Sequence, residues 1–184
     1  MMGGTLLLPD ILKAWNNPTV IENPFFRFTS EQDALIAEVA ETIIPTTDTP
    51  GAKAAGVPDF IKKILADCYE QPVRDEFMRG LTKLDTDSTA KFGKSFVNCS
   101  PDERIEMLKA AALQGDADRK KAKAKPSEST LPQPEPFFFV AKSLTVTGYF
   151  TSEIGCTQAL RYEAVPGKYI GDLPYKKGDK AWAT

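Results

Sequence analysis

Residues 35–69 read LIAEVAETIIPTTDTPGAKAAGVPDFIKKILADCY, and this stretch decides the fold. Apolar side chains recur at helical spacing up to Pro45, which ends a first helix because proline cannot continue the hydrogen-bond ladder. Residues 46–56 hold two glycines, one proline and three threonines, a mixture typical of a folded turn rather than a spacer. Pro58 suits the first turn of a second helix. The apolar positions of the first helix are Leu35, Ile36, Val39, Ala40 and Ile43.

Further helices are predicted on both sides of this stretch. Thr29 and Gln32 have the spacing of a capping box at the start of the first helix. Pro72 indicates a break and a restart, and the apolar pattern of residues 73–84 predicts a third helix. The polar residues 85–88 predict a turn that ends it.

Two shorter helices are predicted next. Phe92 and Phe96 are four residues apart and predict a pair on one short helix. Residues 100–104 read SPDER. A serine cap, a proline in the first turn and a glutamate whose side chain can accept from the serine amide all indicate a helix start. We expect Gly115 to end that helix. Its predicted buried positions are Ile105, Leu108 and Ala112.

A second distinctive stretch, residues 148–171, reads GYFTSEIGCTQALRYEAVPGKYIG. It follows an apolar run over residues 137–150 that predicts a helix, although the β-branched residues 145–147 weaken the prediction. Ser152 is placed to cap a short helix that runs to Leu160. Beyond it the chain is rich in glycine, proline and aromatic residues and is predicted to be extended.

These patterns predict a mainly α fold, a single-domain helical bundle with long ordered loops and an extended C-terminal tail. We place the helical domain at residues 29–171 and the tail at residues 172–184. Within the domain, residues 116–136 are rich in lysine and proline and are predicted to be a flexible, solvated loop. An alternative is a basic patch that contacts anionic lipid headgroups, although four carboxylates dilute it.

Composition excludes several classes of function. The 184 residues are most simply one domain. A net charge of −2 lacks the positive excess that is typical of nucleic-acid-binding proteins. The chain contains no histidine, which removes catalytic dyads and triads that depend on histidine and histidine-ligated metals. It has no glycine-rich phosphate-binding motif and no run of about 20 apolar residues.

The N-terminal segment, residues 1–28, begins MMGGTLLLP. This beginning is similar to the end of the apolar region of an export signal, but a basic region before it is missing. Either such a signal has been trimmed, or Leu6–Leu8 begin a first helix. We interpret residues 1–28 as an N-terminal segment that carries the remnant of an export signal.

Residues 35–69 and 148–168, together with the capped start at residues 100–104, resemble gluconate 2-dehydrogenase subunit 3. This family is the small or gamma subunit of membrane-bound, FAD-dependent sugar dehydrogenases. The resemblance spans most of residues 29–171 and excludes the lysine- and proline-rich segment. The matching stretches are long and unusual in composition, so chance agreement is improbable.

The resemblance implies a non-catalytic subunit that binds no cofactor itself. It implies a flavoprotein large subunit of the glucose–methanol–choline type that carries FAD and oxidises a sugar or sugar acid. A cytochrome c subunit with haem c often receives the electrons. The family commonly carries a twin-arginine export signal, which implies a periplasmic location and membrane association only through the complex. No Arg-Arg pair precedes Gly3-Gly4 here, which puts export of this chain in doubt.

The resemblance places partner-interface candidates in the two distinctive stretches, and no catalytic, cofactor-binding or metal-binding residue is assigned. Cys156 follows Gly155 in a predicted turn, and we consider both a covalent bond to a partner and a small buried residue. We expect Cys68, at an apolar helical position, to be a buried thiol. The candidates are Asp48, Pro50, Gly51, Tyr149, Phe150, Glu153, Cys156, Arg161 and Tyr162.

Each candidate that could take part in catalysis or binding also has a structural interpretation. Glu153 could transfer protons, but a carboxylate in a helix's first turn is also favoured by the helix dipole. Asp48 is of a type that commonly stabilises turns. Arg161 and Tyr162 suit a partner contact, although a structural salt bridge is as plausible for Arg161. Other functions remain as alternatives: a small stand-alone enzyme that uses carboxylates and tyrosines, or a lipid-surface adaptor.

Overall fold

The structure is a computed structural model that describes residues 27–124, 134–165, 167–168 and 171–183. Five α-helices follow one another within these residues, so the predicted mainly α fold is confirmed. A 3₁₀ turn over Phe96–Asn98 precedes α4, and a π-helical turn over Gly155–Ala159 follows α5. The α-helices are α1 (Ser30–Ile43), α2 (Val57–Cys68), α3 (Gln71–Phe92), α4 (Pro101–Ala124) and α5 (Phe137–Phe150).

The predicted helix starts are confirmed in atomic detail. The Thr29 hydroxyl accepts from the amide of Gln32 at 3.3 Å, and the Gln32 side chain accepts from the amide of Thr29 at 2.9 Å. The same reciprocal pair joins Ser100 and Glu103. Each pair satisfies amide groups that a helix end leaves without partners. Prolines occupy the first turns of α2 and α3, as predicted.

Helix α5 lies at the centre of the bundle and contacts all four other α-helices. The rings of Phe77 on α3 and Phe137 on α5 meet edge to face with centroids 5.1 Å apart. Gly80 allows this approach, because a Cβ there would lie 2.1 Å from the Cβ of Phe137. The β-branched Thr145 fits in the helix since its buried hydroxyl donates to the carbonyl of Ala141 at 2.7 Å.

Helix α3 is longer than predicted, and the predicted turn over residues 85–88 is wrong. Ser88 is buried, and its hydroxyl donates to the carbonyl of Leu84 at 2.7 Å. The Asp85 carboxylate accepts from the Ser95 hydroxyl and from the Phe96 amide, at 2.6 and 2.8 Å. Because these polar groups are satisfied, the helix continues to Phe92. Phe92 and Phe96 therefore lie in two different elements and not on one short helix.

Helix α4 also runs further than predicted, past Gly115 to Ala124. Residues 116–124 are thus helical turns, and the predicted loop over residues 116–136 begins too early. Gly115 makes room for an aromatic ring, because a Cβ there would lie 2.9 Å from Cε2 of Phe139. The rest of that predicted loop, residues 125–133, lies outside the described residues. The buried face of α4 is centred on Met107, Leu108 and Gly115, whereas Ile105 is exposed.

Other sequence predictions have mixed outcomes. Cys68 is exposed at the end of α2, so the expectation of a buried thiol is wrong. Phe28 packs against the core, while residues 1–26 of the N-terminal segment lie outside the described residues. The described part of the tail, residues 171–183, contains no helix and has turns at residues 171–172 and 177–178. Among the described helices, none combines the length and the apolar character that crossing a membrane requires.

Candidate functional site

The buried side chain of Tyr149 joins the two distinctive stretches of sequence. Its hydroxyl donates to the carbonyl oxygen of Pro50 at 2.8 Å and lies 3.3 Å from the hydroxyl of Thr49. We call residues 46–56 the first signature loop and residues 148–162 the second signature segment. Segments that are about 100 residues apart in the chain thus meet at the end of α5.

The carboxylate of Glu41, in the last turn of α1, organises the first signature loop from beneath. It accepts from the amide and hydroxyl of Thr46, at 3.0 and 2.7 Å, and from the amide of Lys53 at 2.9 Å. Burial raises the pKa of Glu41, but these hydrogen bonds outweigh it, so the pKa lies below its ordinary value. The loop is therefore held in one conformation by a charged acceptor.

Gly51 is needed for this conformation. A Cβ there would lie 2.3 Å from Oε1 of Glu41 and 2.6 Å from the amide nitrogen of Thr46. The amide of Gly51 donates to the Thr46 hydroxyl at 3.1 Å, and the next residue, Ala52, is buried and bonded to the carbonyl of Ile44. Pro50 and Gly51, both partner-interface candidates, thus have a demonstrable role in shaping the loop.

A second carboxylate, Glu38, connects the loop to the rest of the bundle. It pairs with Lys53 of the loop and with Arg104 of α4. Arg104 also donates to the carbonyls of Phe96 and Val97, at 3.3 and 2.6 Å. The guanidinium therefore ties α1, the 3₁₀ turn and α4 together directly beneath the first signature loop.

The second signature segment leaves α5 through a tight turn around Ser152. The Ser152 hydroxyl accepts from the amide of Gly155 at 3.0 Å, which confirms the predicted cap, and donates to the carbonyl of Tyr149 at 2.7 Å. Gly155 is buried against this turn. The thiol of Cys156 is half-buried and donates to the carbonyl of Phe150 at 3.1 Å. A covalent bond from Cys156 to a partner stays a prediction.

The remaining candidates lie at the outside of this surface. Phe150 and Tyr162 expose much of their rings, and the guanidinium of Arg161 stacks on the ring of Trp182 at 3.9 Å from its centroid. Arg161 also exchanges backbone hydrogen bonds with Ala181 and Ala183 of the tail. Glu153 is exposed and lies two residues before the π-helical turn.

Asp48 is also exposed, at the tip of the first signature loop. The hydroxyl of Thr47 donates to its carboxylate at 2.9 Å and is the largest cause of a lowered pKa, to which the charge of Lys180 adds. Asp48 therefore stabilises the tip as a turn residue, in agreement with the structural interpretation.

A groove of about 520 Å³ lies elsewhere, between α3, α4 and the start of α5, and none of the nine candidates lines it. Among the described residues, no three side chains of metal-ligating type converge.

Sequence reasoning missed Glu38, Glu41 and Arg104, which hold the surface in place. All three lie inside the stretches on which the family resemblance was drawn. Their positions carried a signal, because Arg104 closes the SPDER motif and Glu38 and Glu41 lie on the helix that leads into the first signature loop. Their partners could not be identified, since Glu38 and Arg104 are 66 residues apart.

We expect Tyr149→Phe to loosen the first signature loop and to lower the free energy of unfolding by about 1–2 kcal/mol. The reason is that the carbonyl of Pro50 loses its donor in a partly buried place. Urea unfolding measures the loss, and hydrogen exchange of the amides in residues 51–55 locates it. Tyr162→Phe removes an exposed hydroxyl and is the control. Equal stability of the two variants would contradict the role of Tyr149.

We expect stability to fall in acid partly through Glu41. Its folded-state pKa lies below the ordinary value of 4.5, so the carboxylate stabilises the fold above about pH 4.5 and the contribution is lost as the pH falls through the folded pKa. The stability difference between wild type and Glu41→Gln should be constant from pH 7 to about pH 5.5 and narrow below about pH 4.5. Glu106→Gln, at an exposed ion pair with Lys91, is the control. A difference that does not narrow would refute the assignment.

Comparison with known proteins places the chain in a family. The family model described as gluconate 2-dehydrogenase subunit 3 matches residues 30–167, which is more than half of the 184 residues and includes both signature regions. No curated protein and no solved structure matches the chain significantly. The resemblance drawn from residues 35–69 and 148–168 is therefore confirmed. This chain belongs to the gluconate 2-dehydrogenase subunit 3 family.

Proposed function

We propose that this chain is a non-catalytic subunit of a dehydrogenase complex and that it binds and stabilises a flavoprotein large subunit. The family is named for a subunit of a dehydrogenase, which supports a role within an assembly. The observation that carries the proposal is the hydrogen bond from Tyr149 to Pro50, which joins the two signature segments into one surface. A shape built from two distant parts of the chain is set by the fold and suits a docking surface for a specific partner.

The organisation of this surface supports the proposal further. Glu41 and Glu38 hold the first signature loop by hydrogen bonds and ion pairs before any partner is present. A surface that is already ordered loses less conformational entropy on binding than a flexible one. Phe150 and Tyr162 are exposed at the edge of the surface, and aromatic side chains of this kind often contribute most to interface affinity.

We assign the chemistry of the complex to other subunits. FAD and the oxidation of a sugar or sugar acid belong to a glucose–methanol–choline-type large subunit, and haem c to a cytochrome subunit where one is present. In this proposal the complex is periplasmic and peripheral to the membrane, and the small subunit helps to export the folded flavoprotein. The exposed positions of Asp48 and Glu153 favour this division, because acid–base catalysis is usually carried out by groups that a cleft protects.

Co-expression with a glucose–methanol–choline-type flavoprotein from the same host tests the proposal. We expect the tagged chain to retain a yellow partner with flavin absorbance and to raise the yield of folded large subunit. Phe150→Asp should reduce the retained flavin at least tenfold, because a charge would face the partner. Ile105→Asp is the matched control, since both side chains are 40% exposed and lie on helices.

The outcomes separate the alternatives. Sugar-dependent reduction of an electron acceptor by the purified chain alone would overturn the non-catalytic assignment. Failure of the wild-type chain to retain any flavoprotein would overturn the role as a binding subunit. If Phe150→Asp and Ile105→Asp retained flavin equally, the docking surface would lie elsewhere on the bundle.

A further inference from the structure

Exposed apolar side chains are concentrated near the C-terminus of the described chain. Five of the nine large hydrophobic side chains that are exposed among the described residues fall between residues 162 and 182. Isolated exposed apolar residues are ordinary, and only residues that lie together on the surface mark an interaction site. Here the contact between Trp182 and Arg161 brings the end of the tail beside Tyr162. The five are Tyr162, Val165, Leu173, Tyr175 and Trp182.

The tail is positioned by hydrogen bonds and one stacking contact. The amide of Arg161 donates to the carbonyl of Ala181 at 2.8 Å, and the amide of Ala183 donates to the carbonyl of Arg161 at 2.9 Å. The Trp182 ring lies under the Arg161 guanidinium, and Lys180 donates to the carbonyl of Gln158. These contacts attach the tail to the second signature segment.

The tail keeps its side chains available while it is attached. A turn at Lys176 and Asp179, closed by hydrogen bonds of 2.8 and 3.0 Å, places Tyr175 and Trp182 on either side of it. Both aromatic rings are exposed, and the charge of Lys180 reaches Asp48 in the first signature loop. The tail therefore adjoins the second signature segment.

We propose that residues 171–183 extend the docking surface and that Tyr175 and Trp182 bury their rings against the large subunit. This inference rests on the proposed function. A partner that covers the second signature segment must also meet the tail, because Arg161 belongs to this segment and is hydrogen-bonded to the tail. The complementary site is an apolar depression with a small excess of carboxylates at its rim, because residues 171–183 contain three lysines and two aspartates. Residues 168–184 lie beyond the family match.

The test measures the affinity of the full chain for the purified large subunit by biolayer interferometry. We expect Tyr175→Ser and Trp182→Ser each to weaken binding by about tenfold or more, as central aromatic residues of interfaces do. Leu113→Ser is the control, because Leu113 is 72% exposed and Tyr175 is 78% exposed. It should bind within about twofold of wild type. Thermal unfolding of each variant verifies that the fold is intact.

Each outcome decides between the two proposals. If wild type binds and both tail variants bind within about twofold of it, the tail inference is overturned and the proposed function stands. If wild type does not bind, the proposed function fails and the tail inference fails with it. If the chain alone forms a dimer that Tyr175→Ser dissociates in light scattering, the tail binds a second copy instead, and the inference is overturned.

Discussion

Gly155→Ala is expected to be among the most damaging single substitutions in the second signature segment. A Cβ at this position would lie 1.8 Å from the carbonyl oxygen of Tyr149 and 2.7 Å from its carbonyl carbon. Those are backbone atoms, so no side-chain rotation can relieve the overlap, and the end of α5 must shift. We expect a loss of about 3 kcal/mol in the free energy of unfolding and a melting temperature lower by roughly 6–12 °C.

The same substitution should also weaken binding of the large subunit, because the displaced carbonyl belongs to Tyr149, whose hydroxyl holds the first signature loop. Gly56→Ala is the control. Gly56 has a φ of 71°, but a Cβ there meets nothing within 4 Å, so the cost is only the backbone strain of about 1 kcal/mol. Calorimetry compares the two. If Gly155→Ala were no more harmful than Gly56→Ala, the steric argument would be wrong.

The predicted elements that proved correct depend on interactions within a few residues. Helix-start signals act within one helical turn, so they can be recognised from the sequence. These signals are the caps at Thr29 and Ser100 and the prolines of α2 and α3. The errors occurred where a residue distant in the sequence determines where a helix ends. Residues 85–88 are polar enough for a turn, but Ser95 and Phe96 satisfy Asp85 from beyond the end of the helix. A glycine at 115 suggests a helix end, yet Phe139 from α5 needs that space.

The candidate site shows the same division. Both signature segments could be selected from the sequence, because their composition is unusual and matches a family. Their contact through Tyr149 and Pro50 could not, since it joins residues 99 positions apart. The roles of individual candidates also depended on the fold. Gly51 shapes the loop, Arg161 holds the tail, and Phe150 and Tyr162 present apolar surface.

Arg104→Met is expected to lower the free energy of unfolding by about 3 kcal/mol. The guanidinium is only 19% exposed, and its removal leaves Glu38, 15% exposed, with Lys53 as its remaining ion-pair partner. The carbonyls of Phe96 and Val97 lose a donor at the same time. Breaking a buried pair costs more than the pair contributes, because the remaining charge stays partly desolvated; the residual exposure here moderates that cost. Urea unfolding at neutral pH measures the loss.

Lys83→Met is the matched control, because the paired Lys83 and Asp87 side chains are 62% and 46% exposed, so loss of this pair should cost at most about 0.5 kcal/mol. The double variant Glu38→Gln with Arg104→Met separates charge from packing. If the uncompensated carboxylate causes most of the damage, the double variant should be more stable than the sum of the two single losses implies, by about 1 kcal/mol or more. Strict additivity would mean that Arg104 acts through the two carbonyls alone. The first signature loop would then be held to α1 by Glu41 and Lys53, and partner binding should survive Arg104→Met in proportion to the folded fraction.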